Sequence, residues 1–170
     1  MCIVIQNCKS IYLFAVVIVM TNISCSSNIY LVRHADKILG VPNPHLSEAG
    51  KTRAKTLADT LRNKGISKVF STDSNRTRET ARPTMDLFAI PLTIYRKDNI
   101  PALVSSLKSH LGSNILVVAH SEDIDDILQE LGLTLDQPIT GYSRFIKITR
   151  RKFFNIKTTK KETHYGILDE

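Results

Sequence analysis

The sequence predicts an α/β fold: a three-layer α/β/α sandwich with a mostly parallel central sheet and a C-terminal strand pair. Three observations carry this. Short apolar runs alternate with apolar residues at helical spacing from Asn28 to Leu131, Asn114–Ala119 is continuously apolar after its first residue, and two strand-like stretches close the chain. Strand alternating with helix builds a parallel sheet covered by helices. An apolar run without alternation belongs to a strand buried on both faces.

The elements follow in order. Asn28–Arg33 is short and apolar and reads as a strand ending in a polar turn. Leu46, Gly50, Ala54, Leu57, Ala58 and Leu61 recur at helical spacing, with Ser47 as N-cap and Gly65 closing the run. Lys68–Ser71 is a second strand, and a helix carrying Thr80, Ala81 and Leu87 follows, which Pro83 is expected to bend or interrupt. Leu92–Tyr95 reads as a third strand, Ala102–Leu111 as a helix and Asn114–Ala119 as a fourth strand. Ile124, Ile127, Leu128 and Leu131 mark one face of another helix. Arg144–Thr149 and Phe153–Thr158 read as a hairpin turning through Arg150-Arg151-Lys152.

Composition sets the bounds. A chain of 170 residues with 42% hydrophobic content fits one domain, and with no Trp and only 5 Tyr and 6 Phe its core is mainly aliphatic. Three cysteines cannot supply a disulfide framework. The charge of +7 is local: Arg144–Lys161 holds eight basic residues and no acid, leaving 15 basic against 16 acidic residues elsewhere. That stretch is expected as a solvated sheet edge, or as a surface against anionic lipid headgroups; no nucleic-acid partner is expected.

Ile11–Met20 is an unbroken apolar run of ten residues after Lys9. As a helix it would rise about 15 Å, half the hydrocarbon thickness of a bilayer. Residues 1–24 therefore read as a signal peptide and residues 25–170 as a single domain. Ile23-Ser24-Cys25 is similar to the end of a bacterial lipoprotein signal, with Cys25 as the acylated residue. The expectation is an exported protein, periplasmic or anchored to a membrane through lipid on Cys25.

Ligands of open α/β sheets sit beyond the carboxyl ends of the strands. Arg33 and His34 end one strand, His120 ends another, and Arg76 opens the helix after a third. Two guanidinium forks match the oxygens of a phosphoryl group. An imidazole can attack phosphorus and form a phosphohistidine that water hydrolyses, while a second histidine steadies the developing charge. His45, His110 and His164 lack metal-ligand spacing, so no metal and no cofactor is expected. No Gly-x-Gly nucleotide loop and no Gly-x-Ser-x-Gly elbow occurs.

These residues resemble the histidine phosphatase (phosphoglycerate mutase-like) superfamily. Leu31-Val-Arg-His-Ala-Asp-Lys37 is similar to its Arg-His signature, Leu46-Ser-Glu-Ala-Gly50 to the helix after it, Asn75–Pro83 to the segment with its second arginine, and Val117-Val-Ala-His-Ser121 to the one with its second histidine. The ordered resemblance runs from about Asn28 to Gly166, and the closing strands are similar to a small exported bacterial branch. It implies that His34 is the nucleophile, that Arg33, Arg76 and His120 bind the phosphoryl group, and that the substrate is a small phosphate ester or a phosphorylated side chain. The chain departs from the family after His120, where Ser121-Glu122-Asp123 replaces Ser-Asn-Thr. The acid-phosphatase branch has its proton-donating aspartate where Ser121 stands; the mutase-like branches place a glutamate between the second arginine and the second histidine, for which Asp98 is the nearest candidate here, with Glu122 and Asp123 as alternatives by proximity. The competing expectation is a catalytically weak or inactive member that binds phosphate ligands.

Overall fold

A computed structural model describes residues 25–152 and 155–168. The expected signal peptide and Phe153 lie outside them. The elements are β1 (Cys25–Arg33), α1 (Glu48–Leu61), β2 (Ile66–Ser71), α2 (Asn75–Phe88), β3 (Leu92–Ile94), α3 (Ile100–Ser109), β4 (Asn114–Ala119), α4 (Ser121–Glu130), β5 (Arg144–Lys152) and β6 (Ile156–His164). They build a six-stranded sheet in the order β3-β2-β4-β1-β5-β6. The first four strands run parallel, and β5 and β6 join antiparallel.

The apolar strands divide their side chains between two cores, as the pleat requires. Ile29, Leu31, Ile115 and Val117 pack with Leu103, Val104 and Leu107 of α3 and Ile124, Ile127 and Leu128 of α4. Tyr30, Val32, Leu116 and Val118 pack with Leu57 and Leu61 of α1 and Ala81 of α2. The three expected layers are present. No helix among the described residues is long and apolar enough to cross a membrane.

Two sequence expectations need correction. Pro83 does not interrupt α2, which runs through it from Asn75 to Phe88. Thr77, Thr80, Ala81 and Thr84 stay buried on either side of the proline, so packing holds the helix where one backbone donor is missing. Nor does the hairpin turn at Arg150–Lys152: these residues continue β5, paired with Thr158, Lys157 and Ile156. Arg150 is buried and donates from Nη1 to the Leu107 carbonyl at 3.0 Å, an interior role that outweighs its turn-like composition.

The loop after β1 is clamped to α1. Ser47 caps that helix by accepting from the Gly50 amide at 3.2 Å, and the Asp36 carbonyl accepts from the Ser47 amide at 3.0 Å. That carbonyl sits where a side chain on Gly50 would begin, since an added Cβ would lie 2.0 Å from it. Arg53 secures the same loop through Asp36 at 2.7 Å. Gly50→Ala is therefore expected to destabilise the fold by about 1–3 kcal/mol by overpacking. Urea unfolding should show a lower midpoint with an unchanged slope, and an unmoved midpoint would refute the clash.

Candidate active site

The site is assembled by strand ends. In the parallel β1–β4 ladder Arg33 is paired with Ala119, so the next residue on each strand is a histidine. The His34 amide donates to the Ala119 carbonyl at 2.9 Å, and the two imidazole centroids lie 5.4 Å apart at 68°. Both side chains are nearly buried, at 3% exposure for His34 and 6% for His120. The turn that carries His34 is held to α2, because the Ala35 amide donates to Thr80 Oγ1 at 2.9 Å.

Hydrogen bonds define which ring nitrogens carry protons. His34 Nδ1 lies 2.8 Å from the Ala35 carbonyl, an acceptor only. Nδ1 therefore donates, and the lone pair of neutral His34 is on Nε2. His120 has the opposite tautomer: its Nδ1 accepts from Arg76 Nη2 at 3.3 Å, and its Nε2 faces Thr72 Oγ1 at 3.1 Å. A guanidinium has no acceptor, so the His120 proton sits on Nε2 and is given to Thr72. Thr72 in turn joins a hydroxyl cluster with Thr77, at 2.9 Å, which lies on the first turn of α2.

The arginines come in from two sides. Arg76 is the second residue of α2, where helix amides are still without helical partners. Arg33 Nη1 reaches the carbonyls of Gly141 and Thr140 at 3.3 and 3.4 Å, and its guanidinium lies 4.6 Å from the Tyr142 ring centroid. Nε of each arginine is buried without a hydrogen-bond partner. Two buried donors of this kind leave hydrogen-bonding capacity that an oxyanion can use. Among the described residues no three His, Cys, Asp or Glu come together in a group able to hold a metal ion.

The structure brings Arg33, His34, Arg76 and His120 together, and Asp98 stands apart from their contacts. Its carboxylate is 62% exposed and paired with Arg96 at 2.6 Å, which holds it below the usual carboxylate range. Asp123 is buried and accepts from the His120 amide at 3.4 Å and the Tyr95 hydroxyl at 3.3 Å, so it caps α4. Burial raises its pKa. Glu122 takes the Ser121 hydroxyl at 3.0 Å, and its pKa is lowered, chiefly by its own backbone amide. Sequence reasoning misses Tyr142, whose ring lies 5.6 Å from that of His34, because its loop carries no periodic signal. It also misses Thr72, although a polar residue directly after β2 obeys the strand-end rule that singles out both histidines.

Residues 29–97 match the model of the histidine phosphatase superfamily, branch 1. No curated protein matches the chain by sequence. Its fold is similar to that of the protein histidine phosphatase SixA complexed with tungstate, with TM-score 0.65 and 17% identity over 81% of this chain and 96% of that one. It is also similar to a mycobacterial glucosyl-3-phosphoglycerate phosphatase, with TM-score 0.63 and 14% identity over 79% and 97% of the two chains. A phosphoserine phosphatase from Entamoeba histolytica in complex with 3-phosphoglyceric acid has TM-score 0.57 and 14% identity over 78% and 98%.

The site strongly disfavours protonated imidazole. The His34 pKa is pushed down to about 4, first by burial and then by Arg33, Arg76 and His120, against the bond to Ala35. That of His120 is also pushed down to about 4, by burial and then Arg76, with Glu122 opposing. Both folded values lie below the ordinary 6.5, so the native state binds fewer protons than the unfolded chain. Stability from these groups is complete above about pH 6.5 and is lost as pH falls toward about 4. If His34 acts as the nucleophile, kcat/KM should fall on the acid side with a midpoint near 4, once the substrate's own ionisation is accounted for. A pH–rate profile with a midpoint near 6.5 would contradict this.

Proposed function

We propose that the protein is a metal-independent phosphohydrolase acting through a phosphohistidine on a small phosphate ester or a phosphorylated side chain. The observation that carries this reading is the neutral His34, with its Nε2 lone pair free of the Ala35 bond and buried arginine donors beside it. Nε2 attacks phosphorus, the N–P bond forms, and the P–O bond to the leaving group breaks with its electron pair staying on oxygen. Water then attacks the phosphoryl group, the N–P bond breaks with its electron pair returning to Nε2, the protons of the water pass to phosphate oxygen and solvent, and free His34 and inorganic phosphate result. Arg33 and Arg76 supply the positive charge for the phosphoryl oxygens, so the residues themselves perform the task a metal ion would otherwise take. His120, with its proton on Nε2, is held next to them by Arg76 and Thr72.

The leaving group receives no obvious proton. The Asp98 carboxylate is bound by Arg96, Asp123 is committed to the α4 cap, and the ionised form of Glu122 is favoured. The reaction is therefore expected to favour leaving groups that depart as stable anions or neutral amines. Across a series of aryl and alkyl phosphates, log kcat/KM should fall steeply as leaving-group pKa rises; a flat series would show that a general acid operates.

The basic test is hydrolysis of para-nitrophenyl phosphate by the full chain in the presence of EDTA. Turnover that survives the chelator, with an acid-labile phosphoryl label on His34 in quenched samples, supports the reading. Phosphate binding without turnover of any ester would favour the phosphate-binding alternative, for which the displaced carboxylates are the structural basis.

A further inference from the structure

The ribbon formed by β5 and β6 carries its charge unevenly. On the face shared with Ile146 and Ile148, three basic residues are matched and only Lys152 at the turn end has no ion pair among the described residues: Arg144 pairs with Glu162 at 3.1 Å, Lys160 pairs with Asp136 at 2.9 Å and also with Glu162, and Arg150 is buried on the Leu107 carbonyl. The opposite face carries Lys147, Arg151, Lys157 and Lys161. Lys147 is directly opposite Lys161 and Arg151 directly opposite Lys157. None of the four has an ion pair among the described residues, and Arg151, Lys157 and Lys161 are exposed.

Like charges directly across a ladder destabilise it. Two such pairs in succession, with threonines Thr149 and Thr159 between them, form a stripe without an ion-paired acid among the described residues, to which an external anion is complementary. Its turn end has a defined neighbour. The β1–β5 register pairs Cys25 with Lys152 and Ser26 with Arg151, so the chain enters the fold beside the stripe. Immediately before that entry the sequence holds the apolar run Ile11–Met20. The stripe and the entry of the chain at Cys25 lie at one end of the molecule, and a bilayer surface with anionic headgroups matches the charge of the stripe and the apolar sequence that precedes Cys25.

We propose that the stripe Lys147–Arg151–Lys157–Lys161 is a docking surface for anionic phospholipid headgroups. The active site lies at the other end of β1, about 26 Å along the strand from Cys25, and stays clear of the surface so bound.

The test compares partitioning of the full chain onto neutral phosphatidylcholine vesicles and onto vesicles containing phosphatidylglycerol. The ratio of the two cancels whatever the N-terminal segment contributes. Arg151→Gln/Lys157→Gln should lower that ratio roughly 25-fold at low salt, given the usual attraction per basic residue. Lys51→Gln/Lys55→Gln, with the same net charge, should lower it less than fivefold. The stripe variant should melt no lower than the parent, because a repulsive pair has been removed. A parent with no preference for anionic vesicles, equal losses in the two variants, or tighter binding to duplex DNA than to the anionic vesicles would each overturn the proposal.

Discussion

His34→Ala should abolish turnover, with kcat/KM down on the order of 10⁴-fold or more, while the fold remains intact. His120 cannot take the place of His34. His120 has its Nδ1 lone pair occupied by Arg76 and its Nε2 proton directed at Thr72, so it lacks a free lone pair for phosphorus. The variant loses a buried ring beside His120 and Tyr142, so a modest fall in melting temperature is expected alongside the loss of activity. Steady-state assays and a phosphoryl-label quench on parent and variant give the two readouts. A variant that still accumulates label would place the nucleophile elsewhere.

Arg76→Ala should come second, with a loss of about 10²–10³-fold in kcat. The guanidinium has two tasks at once: it offers an unpartnered buried Nε, and it holds the His120 ring by its Nδ1. Arg76→Lys should recover little, since an ammonium cannot make the paired contact of a planar fork. Full recovery by lysine would reduce the residue to a point charge. Titration of His120 by NMR supplies an independent check. With Arg76 gone, one of the influences holding that pKa near 4 disappears, and the value should rise.

Much of this could be seen in the residues before any coordinates. The β4 segment reads as a doubly buried strand because each face of the sheet is helix-covered, and Ser47 reads as a cap because it accepts from the Gly50 amide. The four clustered polar residues are legible because strand ends are where such folds bind ligands. Other features depend on contacts far apart in the chain. Arg150 reads as a turn residue until the carbonyl of Leu107, 43 positions away, is brought to it. Tyr142 is silent until its loop lies over Arg33 and His34. Asp98 fails for a local reason: Arg96, two positions before it, holds its carboxylate at the surface.

The placement of His34 and His120 one residue past a paired position on adjacent strands has a consequence for how this site can change. Their separation is inherited from the hydrogen-bond spacing of neighbouring strands, about 4.8 Å, and not from any loop. Loops can therefore lengthen, shorten or change sequence after Lys37 or between α4 and β5 without moving one imidazole relative to the other. The spacing of the two imidazoles and the shape of the entrance are thus set by different parts of the chain, although the α4–β5 loop also supports Arg33. New substrates can be reached by editing the rim, while the reactive pair stays as constant as the sheet itself.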